Sequence, residues 1–275
     1  SMYTEYQPSH LLVPYIDNYW EFKGNPDYGM RIHILPDGCT DFIFTLGEVA
    51  NAVEEGSLMM QPYRSYFVGP MTKYSELVTY TESIHMFGVR FLPCGLSCFT
   101  NLPLHEFVNS RVSTNEMKAV FDDTFIERLG EQKHVADRIR VVEEYLLAYL
   151  ARHYQPADSH IAMAVNMINH SEGKRSVRSL MDDVCLCQRH FERKFKHYTG
   201  FTPKEYSRIV KFKNAVELLR TTTSANLLTT AVDAGYYDLA HFSKEIKSMS
   251  GNTPASFLSL TVPEETTLTY IEPQR

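Results

Sequence analysis

The sequence predicts a two-domain α+β protein, with a β-rich N-terminal half followed by helices and an all-α C-terminal half that holds two helix-turn-helix units. Its 275 residues are enough for two domains that each bury a core. Short β-rich runs fill residues 1 to about 110, and helical apolar stripes follow. A stretch of the C-terminal half is also nearly repeated 51 positions later.

The β-rich runs of the N-terminal half are separated by turn residues such as Pro36, Gly69 and Pro93. Their even spacing predicts a small β-barrel or sandwich of the cupin-like kind. The runs span residues 15–22, 30–35, 41–45, 63–68, 75–80 and 83–92. From about Pro103 the pattern turns helical.

The clearest helix of this half is predicted at residues 133–154, where apolar residues fall on one stripe at three- and four-residue steps. This stripe either packs on the domain's own strands or pairs with the same helix of a second subunit. The sequence favours the first arrangement and leaves a homodimer open. The members of the stripe are Val135, Ile139, Val142, Leu146 and Leu150.

The C-terminal half begins after a break at residues 155–158, with Asp158 as the predicted cap of its first helix. Further helices are predicted near 161–172, at 177–184 and from 188, then a spacer helix at 204–219 opened by Pro203. The second unit has a short helix at 227–232, a turn at Gly235 and a helix capped by Asp238. The predicted domains are 1–154 and 155–260, with a loosely held polar tail at 261–275.

The repeat covers residues 188–206 and 239–257. Phe191 corresponds to Phe242 and Phe195 to Ile246, and both copies end in a glycine followed by Thr-Pro. Each copy therefore predicts a short helix with an apolar stripe, a basic outer face and a glycine stop. Two such helices fit two contacts with one polyanion.

The charge is distributed unevenly between the two halves. The net charge is -6, yet residues 158–260 contain 14 Lys and Arg against 10 Asp and Glu. A locally basic domain binds phosphates through its contacting face, whatever the net charge of the chain. The basic part is also the part that carries the repeat.

The composition indicates a cytoplasmic protein without a membrane partner. No apolar run reaches the length of about 18 residues that a membrane span requires, and the N-terminus lacks the pattern of a signal peptide. The odd count of five cysteines favours a reducing compartment.

The second unit carries a characteristic set of residues: Ala231, Gly235, Tyr236, Asp238, Phe242, Lys244, Lys247, Gly251, Thr253 and Pro254. With this set, residues 158–260 resemble the DNA-binding domain of the AraC/XylS family of bacterial transcription regulators. Through residues 35–44 (LPDGCTDFIF) and 87–96 (FGVRFLPCGL), the N-terminal half resembles, more weakly, the β-rich domain of a less studied branch of that family. The resemblance implies that this domain senses a small molecule, dimerises, or does both.

The first unit departs from the family pattern before its second helix. Met181 stands where a small Ala is usual, Cys185 where the turn has Gly, and Cys187 where Ser or Thr caps the helix. A cysteine is a poor cap, so we expect this turn to be less rigid than that of the second unit.

The candidate DNA contacts lie on the outer faces of the two repeated helices. The resemblance places Arg189, Glu192 and Arg193 toward the groove, where Arg reads guanine and Glu accepts from cytosine. We expect the first unit to carry more base readout and the second more phosphate positioning through its lysines. The alternative interpretation is an ordinary solvated helix face. The candidates are Gln188, Arg189, Glu192, Arg193 and Lys196 in the first unit, and Asp238, Leu239, His241, Ser243, Lys244 and Lys247 in the second.

An effector pocket in the N-terminal half is a further hypothesis. Trp20, His33, Asp41 and Arg90 are aromatic or charged residues in or beside predicted strands and could line it. The alternative is ordinary surface placement. The scattered histidines and the Cys94 and Cys98 pair lack the ligand sets of metal sites, so we expect neither a metal nor another cofactor.

The leading function is a sequence-specific transcription regulator that binds double-stranded DNA and is controlled by a small-molecule effector or by dimerisation, with contact to RNA polymerase left open. One alternative is a DNA-repair-type enzyme fused to an AraC-like reader, although Cys39, Cys94 and Cys98 do not have the spacing that its chemistry needs. Another is a small-molecule-binding barrel whose helices dock protein. No catalytic motif supports an enzyme.

Overall fold

The structure, a computed structural model, describes residues 2–53, 57–117, 120–122, 124–184, 186–222, 226–258 and 269–272. Strands dominate the N-terminal half, and every neighbouring pair is antiparallel. The strands are β1 (Tyr3–Tyr6), β2 (Ile16–Gly24), β3 (Met30–Ile34), β4 (Thr40–Thr45), β5 (Asn51–Ala52), β6 (Ser65–Val68), β7 (Ser75–Thr79), β8 (Ile84–Phe91), β9 (Arg111–Ser113) and β10 (Thr269–Glu272).

The strands form two sheets, in the orders β1-β2-β8-β4-β6-β9 and β10-β3-β7-β5. Both sheets keep their edge strands, so the described strands make an open sandwich and not a closed barrel. The predicted β-rich domain is thus confirmed as a sandwich, which is compatible with the cupin-like expectation.

Alternation along the strands gives the larger sheet two buried faces. On β4, Ile43 joins the core between the sheets, together with Trp20 and Ile32. Its neighbours Phe42 and Phe44 point the opposite way, into a second core that is rich in aromatic rings. A sheet that is apolar on both faces needs a cover on each, and helices supply the second.

Helices cover the outer face of the larger sheet and then form the C-terminal half. The helices are α1 (Phe125–Gly130), α2 (Val135–Arg152), α3 (Ser159–His170), α4 (Val177–Val184), α5 (Gln188–Thr199), α6 (Pro203–Thr221), α7 (Leu227–Asp233), α8 (Leu239–Ser250) and α9 (Pro254–Leu258). Helices α4 and α5 make the first helix-turn-helix unit, and α7 and α8 make the second.

The stripe of α2 packs on its own domain, as the sequence favoured. Val142 and Leu146 are completely buried in the aromatic core, and Val135, Ile139 and Leu150 pack at its border. The expected helical pattern from Pro103 was wrong in its first part, because residues 111–113 pair with β6 as β9 and the first α-helix begins at Phe125.

The C-terminal half has a core of its own that also takes in residues of the sandwich. Ile161, Phe191, Phe212 and Phe242 are fully buried there, and Leu35 and Cys94 of the N-terminal half join them. Residues 269–272 return to the sandwich as β10, which pairs with β3. The other residues of the predicted tail, 261–268 and 273–275, lie outside the described residues.

Candidate nucleic-acid interface

The first recognition helix, α5, buries one face and exposes the other. Phe191 and Phe195 are completely buried, while Gln188, Arg189, Arg193 and Lys196 are exposed. The buried pair falls one helical turn apart and marks the inner face, so Arg189, Arg193 and Lys196 lie on the outer face. The apolar stripe therefore sets which side chains α5 presents.

The exposed residues of α5 are only lightly engaged. Gln188 Nε2 donates to Glu192 Oε1 at 3.1 Å, and Arg193 Nη2 donates to His190 Nδ1 at 3.0 Å. Arg189 and Lys196 make no hydrogen bond or ion pair with any residue that the structure describes. Arg189 and Lys196 are thus available to an external acceptor.

The second recognition helix, α8, buries the equivalent positions but exposes different side chains. Phe242 and Ile246 are buried, whereas Leu239 is 39% exposed and His241 and Lys244 are exposed. Lys244 has no hydrogen-bond or ion-pair partner among the described residues. The face that corresponds to Gln188 and Arg189 is therefore apolar in this unit.

Two of the candidates in the second unit, Asp238 and Lys247, have structural roles as well. Asp238 caps α8, because its side chain accepts a hydrogen bond from the His241 backbone N–H at 2.7 Å. Lys247 Nζ donates to the Gly251 carbonyl at 2.8 Å, at the other end of the helix. Ser243 is half-buried beside Phe242. Lys244 is the cation of this helix that remains free for DNA.

The turns that precede the two recognition helices differ. Gly235 adopts φ +91° in the second unit, where the Tyr236 N–H donates back to the Ala231 carbonyl at 2.9 Å. A side chain at Gly235 would be strained in this left-handed region. In the first unit Cys185 lies outside the described residues, and Cys187 occupies the cap position without a side-chain cap hydrogen bond.

Helix α6 connects the two units. It starts with a capping box, in which Thr202 and Glu205 each bond to the other's backbone N–H, and its 19 residues span about 28 Å. Arg208 makes a two-point ion pair with Glu245 of α8, at 2.7 and 3.1 Å. The spacer is thereby bonded directly to the second recognition helix.

The first recognition helix has a matching anchor. Lys194 Nζ lies 2.6 Å from Asp158 Oδ2, and Asp158 also caps α3 by accepting from the backbone of His160 and Ile161. Burial opposes ionisation of Asp158, but the bond from Lys194 and the backbone bonds outweigh it and lower its pKa.

Three of the four predicted effector-pocket residues lie together inside the sandwich. Arg90 Nε donates to Asp41 Oδ1 at 3.0 Å and lies 3.3 Å from Asp37, while Trp20 Nε1 donates to Asp41 at 3.4 Å. Burial raises the pKa of Asp41 to about 6, and the Arg90 charge opposes this rise. The cavity beside Asp41 and Arg90 measures about 10 Å³, room for about one water molecule.

His33 lies apart from this cluster, against the helical half. Its ring stacks on Tyr74 at a centroid distance of 5.6 Å, and its Nδ1 lies 3.4 Å from Asn252 Nδ2. Its Nε2 is 3.9 Å from Glu76. The structure thus brings Trp20, Asp41 and Arg90 together and separates His33 from them.

Sequence reasoning missed two features. Tyr237, directly before the cap of α8, is 91% exposed at the outer edge of the second unit. A cavity of about 420 Å³ also opens between the start of β6, the residues that follow β9, and α1. An aromatic with no place in the apolar stripe was a usable signal for Tyr237. No signal in the sequence indicated the cavity, because the residues that line it come from distant parts of the chain: Tyr63, Arg64, Ser65, Thr114, Asn115, Ile126, Glu127 and Gly130.

The three cysteines of the N-terminal half are buried and are not placed as nucleophiles. Burial raises the pKa of Cys39 and of Cys98, and it raises that of Cys94 to about 12. All three are free thiols, as is the exposed Cys187.

Among the helices that the structure describes, none is long and apolar enough to cross a membrane.

Comparisons with known proteins agree with this geometry. Residues 180–259 match a family described as a helix-turn-helix domain, and residues 4–113 match a domain of unknown function, DUF6597. No curated relative matches the chain.

Among solved structures, ToxT from Vibrio cholerae is similar over most of both chains. One crystal form matches at 10% identity with a TM-score of 0.51, covering 87% of this chain and 97% of ToxT. An apo variant of ToxT matches at 10% identity with a TM-score of 0.50, covering 89% and 98%. At this identity the likeness shows the fold. Residues 180–259 are therefore an AraC-type helix-turn-helix domain, in a chain that has the two-domain fold of ToxT.

Proposed function

We propose that this DNA-binding transcription regulator reads its operator with both units, by placing the first turns of α5 and α8 in successive major grooves. The observation that carries the proposal is the exposure of those two turns, at equivalent points of a duplicated unit. Recognition helices of this motif contact bases through their N-terminal residues, and grooves on one face of a duplex recur about every 34 Å. The span of α6, about 28 Å, suits that repeat.

The two units divide the work in this proposal. Arg189 and Arg193 read guanine edges, with Gln188 and Glu192 as further polar readers. In the second unit Leu239 offers only apolar contact, so Lys244 supplies charge to a phosphate and positions the helix. Asp238 and Lys247 act mainly by holding α8 together, as their hydrogen bonds indicate.

The N-terminal domain, residues 1–154, serves in this proposal as the regulatory half and residues 155–260 as the reader. The cavity of about 420 Å³ is the best candidate for a small-molecule effector, since its size falls in the range of ligand pockets. The Trp20, Asp41 and Arg90 cluster serves instead as a buried structural network. Pairing of two chains is the other means of control, and the protein acts in the cytoplasm, where RNA polymerase is a candidate partner.

An enzymatic role is the less favoured candidate. A methyl-accepting repair activity requires an activated thiolate, and burial raises the pKa of Cys39, Cys94 and Cys98. We therefore propose a regulator without its own chemistry.

The test is selection of the full chain on a pool of random duplexes at two salt concentrations, followed by sequencing of the retained DNA. The expected result is a motif with two half-sites about 10 bp apart. Binding should weaken steeply with salt, because contacts to phosphates release counterions. Retention without an enriched motif would contradict sequence-specific reading.

A further inference from the structure

Both recognition helices end against the same loop of the N-terminal domain. Helix α5 ends at Gly200 (φ +85°) and α8 at Gly251 (φ +76°), and in each case the glycine N–H donates to the lysine carbonyl four residues earlier. These glycines are equivalent positions of the repeat. Residues 69–74, between β6 and β7, contact both of them, and we call this segment the bridging loop.

The contacts are so close that a side chain at either glycine would force the bridging loop to shift. A Cβ built on Gly200 would lie 2.3 Å from Pro70 Cγ, and one on Gly251 would lie 2.7 Å from Tyr74 Cζ. The Tyr74 N–H also donates to the Met249 carbonyl, in the last turn of α8, at 2.9 Å. Pro70 therefore packs on the first unit, and Tyr74 packs on and bonds to the second.

Hydrogen bonds from Asn109 hold the bridging loop in place. The Asn109 N–H donates to the Pro70 carbonyl at 2.7 Å, its Oδ1 accepts from the Thr72 N–H at 3.0 Å, and its Nδ2 donates to Thr72 Oγ1 at 2.8 Å. Asn109 adopts φ +55°, which Asn tolerates better than most residues. One side chain thus holds the loop without touching either recognition helix in these contacts.

The bridging loop leaves the proposed DNA face uncovered. It contacts the C-terminal ends of α5 and α8, whereas the first turns with Arg189 and Leu239 stay exposed. A contact of this kind does not block DNA. It constrains where the two first turns lie relative to each other, in addition to the constraint from α6.

We propose that the bridging loop sets the half-site spacing that the protein accepts, with Tyr74 and Asn109 as positioning residues. This inference rests on the proposed function. Each added base pair rotates one half-site by about 36° relative to the other, so a rigid pair of readers tolerates only one spacing. If the loop no longer holds both helix ends, the units gain freedom and neighbouring spacings become acceptable.

Three variants and the unchanged protein test this in parallel selections from one random duplex pool. Tyr74→Ala removes the ring that packs on Gly251 at the end of α8 and leaves the backbone bond to Met249 in place. Asn109→Gly keeps the left-handed backbone accessible but deletes the bonds to Thr72. Tyr80→Ala is the matched control, because Tyr80 is an exposed tyrosine near the other end of β7 that packs on Tyr28. The readout is the distribution of distances between the two enriched half-sites.

The expected result is one spacing for the unchanged protein and for Tyr80→Ala. For Tyr74→Ala and Asn109→Gly we expect the preference for that spacing over those one base pair longer or shorter to fall about fivefold, at the low end of coupling between sites. The half-site sequences should stay the same. Tyr74→Phe should restore the single spacing, since the ring and the backbone N–H make the contacts.

Two outcomes separate failure of the inference from failure of the proposed function. An unchanged single spacing in both Tyr74→Ala and Asn109→Gly, with melting temperatures near that of the unchanged protein, overturns the inference alone. Absence of any enriched motif for the unchanged protein overturns the proposed function, and the inference with it.

Discussion

The two helix-turn-helix units share their buried positions and glycine stops and differ in their exposed residues. Phe191 and Phe242 occupy the same buried position, and Gly200 and Gly251 end the two recognition helices in the same left-handed conformation. Yet Arg189 of the first helix corresponds to Ala240 of the second. The comparison teaches that packing positions preserve the fold of a duplicated unit while outward positions are free to specialise.

The ion pairs that anchor the two recognition helices also lie at equivalent positions but differ in their residues. Lys194 and Glu245 are equivalent positions of the repeat, and each joins its recognition helix to the helix that precedes the unit. The signs are reversed: Lys194 pairs with Asp158 of α3, and Glu245 with Arg208 of α6. The position of the bond is shared between the units, although the charges that make it are exchanged.

The largest expected effect tests the buried positions that the two units share. Phe191→Ala and Phe242→Ala should each lower the free energy of unfolding by about 3–5 kcal/mol, because each leaves a cavity in the helical core. Urea unfolding measures both values. Tyr237→Ala is the exposed aromatic control and should stay within about 0.5 kcal/mol. If only one of the two core variants were destabilised, Phe191 and Phe242 would not contribute equally to the helical core.

The next effect concerns the division of base readout. Arg193→Ala should lose about 1–3 kcal/mol of discrimination between the selected motif and a variant changed in the first half-site. Lys244→Ala should weaken binding to all duplexes similarly and reduce the slope of log affinity against log salt by about 1. Titrations of both duplexes at several salt concentrations measure this, with Arg152→Ala on α2 as the charge-matched control. Equal loss of discrimination in the two variants would count against the division.

A smaller effect tests the difference between the two helix caps. Asp238→Ala should cost about 1 kcal/mol of unfolding free energy, and Asp238→Asn should cost little, because Asn also caps well. Cys187→Ser should stabilise the protein by up to about 1 kcal/mol, since this position has no side-chain cap bond. Thermal unfolding of the three variants provides the measurement. A destabilised Cys187→Ser protein would show that the thiol packs in a way that a hydroxyl cannot replace.

The smallest effect is that of the two ion pairs. Double-mutant cycles on Arg208 with Glu245 and on Lys194 with Asp158 should give coupling energies of about 0.5 kcal/mol each, because both pairs are partly open to solvent. Both couplings should shrink in 1 M salt. A coupling above about 2 kcal/mol in either pair would mean that it is far better shielded than its exposure indicates.

Local patterns allowed much of the fold to be predicted. The helices of the C-terminal half, the cap at Asp158, the opening of α6 at Pro203 and the glycine stops depend on residues within a few positions of one another. The helical pattern expected from Pro103 was wrong at β9, a short segment whose partner β6 lies far away in the sequence, and β10 pairs with the equally distant β3.

By itself, the sequence determined the duplicated reader, its basic outer residues and the two buried stripes, because repetition and helical period are written in neighbouring residues. The tertiary structure decided which long-range partners meet. It placed His33 beside Asn252 of the helical half, and it brought Pro70 to the end of α5 and Tyr74 to the end of α8. Contacts across 100 or more residues depend on how two cores pack together, and no local pattern of side chains specifies that.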